Sequence, residues 1–485
     1  MGKLGVTTMY ERLTTYVAGE WQDPETRCEV FNPADKSVVG SVGYGTAKDA
    51  VQAVDAAALA FSDWSRTAAR FRADLLRDAA GLLTDRVDFI SSLLAKESGK
   101  RLPEARGEVR FAAEYLRWFS DLARLNRGET IPNEEAERRH LTLRRPSGVA
   151  LSLTPWNFPV SIQARKLAAA LAAGCTVVAR PSEKAPLAAV ELVRCLADAG
   201  LPAGTVNLVH GPADQLVEAM LAHPAVRVVS FTGSTEVGRR VMALASRHVV
   251  RPLLELGGDA AFIVFDDADL DAAVEGALVA KFRNAGQSCI AANRFLVQEG
   301  VYEAFVARMV EHVNAMTVGD GTSDPVPDLS PLIDNERVGA VNGLVEEAQA
   351  AGAKQVTRGF DLPPVGSYAA PALLVNVPSH VGLAHQEIFG PVAGVWPFVS
   401  EVDAVVNAND TEMGLAAYAY TSSAERLFRL GENLAAGIIG FNCALPSVAF
   451  APMGGVKQSG LGREGGREGL EEFSDLHYVA VGGAT

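Results

Sequence analysis

The chain holds five cysteines, and their surroundings differ. Cys175 opens an apolar run and Cys195 falls on the apolar side of a helical one, where cysteine usually acts as a small inert hydrophobe. Cys289 instead lies in NAGQSCIAANR, polar and glycine-containing on its N-terminal side, which makes it the candidate nucleophile. A free thiol with a pKa of about 8.5 is only a few per cent thiolate at neutral pH, so a reactive cysteine needs a base or a positive environment. Glu255 in LELGG is the candidate base: it ends an apolar strand, and two glycines after it let another segment or a cofactor approach closely. A carboxylate partly removed from water there could take a proton near neutrality. Asn157 in TPWNFP precedes a helix start at Pro159, and its amide could donate to an oxyanion. Loss of one such donor typically slows a reaction by about a hundredfold to a thousandfold. Taken singly, the three also read as a packing cysteine, a solvated carboxylate and a turn asparagine.

The elements that must position these residues follow from periodicity. From Ala47 to about Leu125 the pattern is helical, with apolar residues three and four apart. From Gly148 to Gly258 it becomes strand, helix, strand: VALSL, CTVVA, TVNLVHG, VRVVSFTG and LLELGG are short, Val- and Leu-rich runs separated by helical stretches. This predicts a parallel sheet covered on both faces, with a nucleotide at its C-terminal strand ends. After Gly258 a second α/β series begins with AAFIVF and ANRFLVQ, which places a domain boundary at that glycine pair. In RRHLTLRRPSG, Leu141 and Leu143 alternate with polar residues, predicting an isolated strand that pairs outside its own sheet.

Composition bounds the function. A chain of 485 residues, 48% apolar, can form two or three domains, and its net charge of −14 repels phosphate backbones and anionic lipid, so nucleic acid and membrane partners are not expected. Scattered cysteines, odd in number, suggest neither a disulfide framework nor a metal site and fit a reducing cytoplasm. The N-terminus has no secretory h-region, and Val6 stands where a myristoylation signal needs Ser or Thr. No run is long and apolar enough to span a bilayer.

Together the segments TPWNFP, GCTVVARPSE, FTGSTEVG, LELGG, GQSC, EIFGPV and PMGGVKQSGLGREGG, in this order, resemble the aldehyde dehydrogenase superfamily over nearly the whole chain. The resemblance implies a Rossmann-like NAD-binding domain (1–125 and 147–257), a second α/β catalytic domain (258–457) and a small β oligomerisation element (126–146 and 458–485). It implies that Cys289 attacks an aldehyde and that Asn157 and the Cys289 N–H stabilise the oxyanion. Hydride then passes to a nicotinamide, and Glu255 helps water hydrolyse the thioester. No metal is required. Because Glu255 is present, hydrolysis is expected rather than transfer to coenzyme A.

No GxGxxG follows the first βαβ strand, and the matching cofactor element is FTGSTEVG, where Gly233 begins a turn and Ser234 opens a helix that can cradle a pyrophosphate. By resemblance, Arg180, Ser182 and Glu183 face the adenine ribose, Glu387 and Phe389 hold the nicotinamide end, and Trp156 and Leu256 also contact the cofactor. Glu183 repels a 2′-phosphate, favouring NAD, while arginine instead of lysine at position 180 keeps NADP possible. The strand at His140 to Arg144 and the C-terminal LHYVAVGG are expected to pair across subunits of a homodimer or homotetramer. Three further departures from the family pattern are Asp259 after LELGG, Met453 in place of phenylalanine, and Ala291 where some relatives carry a second cysteine, which predicts no disulfide lock on Cys289. Arg165, Arg283 and Ser447 match positions that hold the substrate carboxylate in succinate-semialdehyde dehydrogenases, the branch that KQSGLGREG most resembles. Succinic semialdehyde is therefore the expected substrate, with glutaric semialdehyde or an aliphatic or amino aldehyde as the alternative.

Overall fold

The alanine-rich windows form four successive helices, Ala47–Trp64, Ala69–Asp85, Val87–Ser98 and Leu102–Leu122. The last turns Ala105, Val109, Ala112, Leu116 and Phe119 inward as a continuous stripe, and Glu108 lies buried on the same face. This is a computed structural model, and it describes residues 9–134 and 138–483; Val6 and the myristoylation reading lie outside them.

The βαβ series folds into one sheet whose parallel core runs, in space, Val206–Leu208, Thr176–Pro181, Val149–Thr154, Val226–Thr232, Arg251–Glu255. From Val149–Thr154 the chain first adds strands on one side, then returns to add Val226–Thr232 on the other. The reversal opens a crevice at the C-terminal ends of these two strands, the position where open α/β sheets bind nucleotides. Two edge pairings were not legible in the pattern. Thr15–Val17 and Glu20–Gln22 extend one side, and Gly460–Leu461 pairs antiparallel with Arg251–Glu255, setting Gly460 opposite Glu255. Residues 460–461, grouped above with the oligomerisation element, thus belong to the first sheet.

A second sheet is ordered Lys354–Gln355, Ala372–Val375, Val392–Phe398, Ala292–Gln298, Ala260–Val264, Ala416–Tyr420, Ile438–Phe441, parallel except at the first pairing. Residues 256–259 link the end of Arg251–Glu255 to the start of Ala260–Val264, so the two sheets meet at the glycine pair.

One expectation is corrected. Arg138–Pro146 and Ser474–Gly482 pair with each other inside the chain, antiparallel from Ser474 opposite Pro146 to Gly482 opposite Arg138. The two strands are equally long and satisfy each other's backbone groups, and Arg144 adds an ion pair to Glu471 at 3.2 Å. Thr130–Ile131 lines the far side of Arg138–Pro146, leaving Ser474–Gly482 as an edge strand. Among the described residues no helix is long and apolar enough to cross a membrane, and no group of three His, Cys, Asp or Glu could hold a metal ion.

Candidate active site

The loop that delivers Cys289 is built from strained backbone. Asn284, Ala285 and Gly286 all have positive φ (53°, 53° and 75°), and the two with side chains cost about 1–3 kcal/mol each in that region. A dense set of hydrogen bonds holds them there. Asn284 N–H donates to Glu104 Oε1 at 3.0 Å, Asn284 Nδ2 donates to the Asn157 and Gln287 carbonyls at 3.2 and 3.1 Å, and Gln287 Oε1 accepts from Ile333 N–H at 2.9 Å. A β-carbon on Gly286 would lie 2.1 Å from the Gly390 carbonyl, so the EIFGPV segment packs directly beneath.

Asn157 is buried, and its Nδ2 donates to the Gln287 carbonyl at 3.2 Å, two residues before the thiol. Its own carbonyl accepts from Lys100 Nζ at 2.8 Å. Lys100 is paired with Glu108, whose other oxygen accepts from Val160 and Ser161 N–H at 2.9 and 3.3 Å and so caps the helix Pro159–Ala173. Sequence reasoning missed both residues. The signal was available for Glu108, a carboxylate on the apolar stripe of an amphipathic helix.

Glu255 ends its strand with 1% of its surface exposed. Its Oε2 accepts from Arg165 Nη2 at 3.2 Å, and its Oε1 accepts no hydrogen bond of ordinary geometry among the described residues. Arg165 Nε lies 2.5 Å from Glu464 Oε2, and Glu464 Oε1 takes Lys166 and, at 2.9 Å, the Ser230 hydroxyl. Burial would raise the Glu464 carboxyl, but Arg165 and Lys166 outweigh it and hold the group below its ordinary value. Glu464 lies in the GREGG segment that sequence reasoning treated only as a family signature.

The Cys289 thiol is pushed well above the usual range, first by burial, then by the facing Glu255 carboxylate and by Glu387, with Arg165 pulling weakly the other way. At neutral pH the resting site therefore holds a thiol, not a thiolate. It opens into a cavity of about 300 Å³ lined by Cys289, Glu255, Arg165, Arg283, Ser447 and Met453, among others. Arg165, Arg283 and Ser447 thus share one cavity with the thiol. Arg283 stacks over the Phe158 ring at 5.2 Å and has no carboxylate partner among the described residues.

A groove of about 330 Å³ opens at the switch point of the first sheet, walled by Leu153, Phe231, Val237, Val241 and Leu244 and edged by Arg180. Its volume and apolar walls suit an adenosine, and the buried Arg180 Nε has no hydrogen-bond partner among the described residues. Arg180 Nη2 donates to Glu183 at 2.7 Å and to the Gly211 carbonyl at 2.9 Å. Ser182 Oγ accepts from Lys184 N–H at 3.3 Å. Ser234, following Gly233, caps Thr235–Ser246 by accepting from Val237 N–H at 3.4 Å. Towards the thiol, Leu256 packs on Gly238, and Trp156 meets Phe389 edge to face at 5.4 Å. Glu387 Oε1 accepts from Gly258 N–H at 3.0 Å, and burial pushes its carboxyl up to about 7.

The departures from the family pattern have local partners. Asp259 is buried 2.8 Å from Arg294 Nε, Met453 contacts Arg165, and Ala291 is buried with no thiol to offer Cys289.

Against known proteins, the aldehyde dehydrogenase family model matches residues 21–479. The chain belongs to the aldehyde dehydrogenase family. It is 42% identical to the protein named succinate-semialdehyde dehydrogenase (NADP(+)) GabD of Escherichia coli K12, over 97% of this chain and 98% of that one. It is 41% identical to a glutarate-semialdehyde dehydrogenase of Pseudomonas aeruginosa PAO1, over 97% and 98% of the two chains. The solved structure of a succinate-semialdehyde dehydrogenase from Burkholderia pseudomallei superposes with a TM-score of 0.95 at 40% identity, covering 98% of this aldehyde dehydrogenase and all (100%) of that chain.

Proposed function

We propose that this aldehyde dehydrogenase oxidises succinic semialdehyde to succinate, and one observation carries the reading. The cavity that holds the thiol also holds an arginine, Arg283, without a carboxylate partner among the described residues, together with Arg165 and Ser447. Arg283 is half-buried in the cavity wall, and a substrate carboxylate would supply its missing partner. The relative named glutarate-semialdehyde dehydrogenase supports glutaric semialdehyde as the second reading. The test compares kcat/KM for succinic semialdehyde, glutaric semialdehyde and butanal in the wild type, Arg165→Ala and Arg283→Ala. A strong preference for the four-carbon acid, lost in both variants, is expected; equal efficiency on butanal would remove the assignment.

In this reading Glu255 takes the Cys289 proton, and Sγ attacks the aldehyde carbon. Asn157 Nδ2 and the Cys289 N–H stabilise the oxyanion that forms. Bound NAD(P) would supply the hydride acceptor. Glu255 then takes a proton from water as it attacks the thioester, and the Cys289 thiolate leaves. Arg180, Ser182 and Glu183 would hold the adenosine end, Gly233 and Ser234 the pyrophosphate, and Trp156, Leu256, Glu387 and Phe389 the nicotinamide end. Glu183 beside Arg180 sets a carboxylate where a 2′-phosphate would lie, which favours NAD, while Arg180 Nε, without a hydrogen-bond partner among the described residues, keeps NADP possible. The E. coli relative carries NADP(+) in its name, so kcat/KM with each cofactor decides.

The edge strand Ser474–Gly482, with Leu476 and Tyr478 exposed, supports a homo-oligomer, to be checked by light scattering at micromolar concentration. Five free cysteines support a reducing, cytoplasmic setting.

A further inference from the structure

We infer that Arg165 couples recognition of the substrate carboxylate to release of the base. In the resting site its guanidinium holds Glu255, and an incoming carboxylate takes over that hydrogen bond and frees Glu255 for the Cys289 proton. The inference rests on the anionic-substrate reading above.

The three nitrogens of Arg165 are unequally held. Nε lies 2.5 Å from Glu464, whose other oxygen is fixed by Lys166 and Ser230. Glu464 does not line the cavity, so this contact stays out of a substrate's reach. Nη2 makes a single 3.2 Å bond to Glu255, and Nη1 faces the sulfur of Met453, a weak acceptor. Both of those partners line the cavity. A carboxylate arriving from the cavity therefore meets the two terminal nitrogens with the weakest partners, in the geometry that a guanidinium fork binds best.

The exchange matters because a proton arriving on Glu255 while Arg165 holds it would leave a buried guanidinium facing a neutral acid. Once the substrate supplies the counter-charge, that cost disappears. The S–H bond of Cys289 then breaks, its proton passes to Glu255, Sγ bonds to the aldehyde carbon and the C=O π pair moves to oxygen. Arg165 acts here as a positioning residue: an anionic substrate switches on its own base, and an uncharged aldehyde does not.

The test uses the whole enzyme with saturating NAD and follows the NADH burst by rapid mixing. Acetaldehyde leaves the carboxylate end of the cavity open, and propionate can fill it. At saturating aldehyde the burst with acetaldehyde is expected to be slower than with succinic semialdehyde by about ten- to a hundredfold, the worth of one charged hydrogen bond. Propionate should restore it severalfold in the wild type and have no effect in Arg165→Gln. Equal burst rates, with discrimination confined to KM, would overturn the coupling yet leave the substrate reading standing. A slow burst that ignores propionate, or rescue that persists in Arg165→Gln, would also overturn it. Equal kcat/KM for charged and uncharged aldehydes would instead remove the substrate reading itself.

Discussion

Gly258 packs against the backbone of Cys289 so closely that a β-carbon on it would lie 2.1 Å from the Cys289 carbonyl oxygen. The contact joins the two sheets at the reacting atom, because Gly258 follows the strand that carries Glu255 and Cys289 precedes the strand Ala292–Gln298. Gly258→Ala must push one segment away from the other. A displacement of about 1 Å at a reacting centre can lower turnover by about a hundredfold. We expect that loss in kcat with an unchanged circular dichroism spectrum; near-wild-type turnover would mean that the two segments give way without moving the thiol.

The raised thiol predicts how Cys289 meets alkylating reagents. In the cofactor-free enzyme, inactivation by iodoacetamide should keep accelerating through pH 9, because burial and Glu255 hold the proton on sulfur beyond the point where an ordinary thiol has lost it. Glu255→Gln removes one of those causes, so alkylation at pH 8 should become faster while aldehyde turnover collapses. Slower alkylation in the variant would contradict the electrostatic account.

Asn157→Ala removes both the proposed oxyanion donor and the bond to the Gln287 carbonyl. A fall in kcat of about a hundredfold to a thousandfold is expected. The variant should still react with iodoacetamide at the wild-type rate if the loop is held mainly by Asn284 and Gln287, and a large change in that rate would assign Asn157 a structural role instead.

Lys281 is fully buried, donates to Asn293 Oδ1 at 2.9 Å, and loses its proton at about 7 rather than 10.5 because burial disfavours its charge. Between these values the unfolded chain binds the extra proton, so this lysine makes stability rise with pH across that window and leaves it flat below pH 7. In Lys281→Met the rise disappears. The difference in melting temperature, wild type minus variant, should be constant up to about pH 7 and grow towards pH 10; a constant difference throughout would show that the lysine titrates normally.

Much of the site was readable because its chemistry sits in short segments. Cys289 follows a polar, glycine-containing run, Glu255 ends an apolar run just before Gly257 and Gly258, Asn157 precedes the helix start at Pro159, and the parallel strands between Val149 and Glu255 announce themselves as continuous Val and Leu runs. What was not readable depends on distant pairs. Glu464 meets Lys166 across 298 residues, and Lys100 reaches the Asn157 carbonyl across 57. Neither contact leaves a periodic trace, because a single buried charge on a helix face or a two-residue strand is too short to set a pattern. The pairing of Arg138–Pro146 with Ser474–Gly482 was misassigned for the same reason: each strand reads as lacking a partner, and only the fold brings their ends together.

The antiparallel return of Gly460–Leu461 beside Glu255 also orders events during synthesis. When synthesis reaches residue 459, Cys289, Asn157 and Glu255 are all in the chain, yet the strand that carries Glu255 still has a bare edge and Arg165 still lacks Glu464. The nascent chain therefore carries Cys289 in an unfinished site, which residues 460–464 complete. Closure of so long a loop is slow compared with local helix formation, so activity should appear later than the helical structure, as a step of its own.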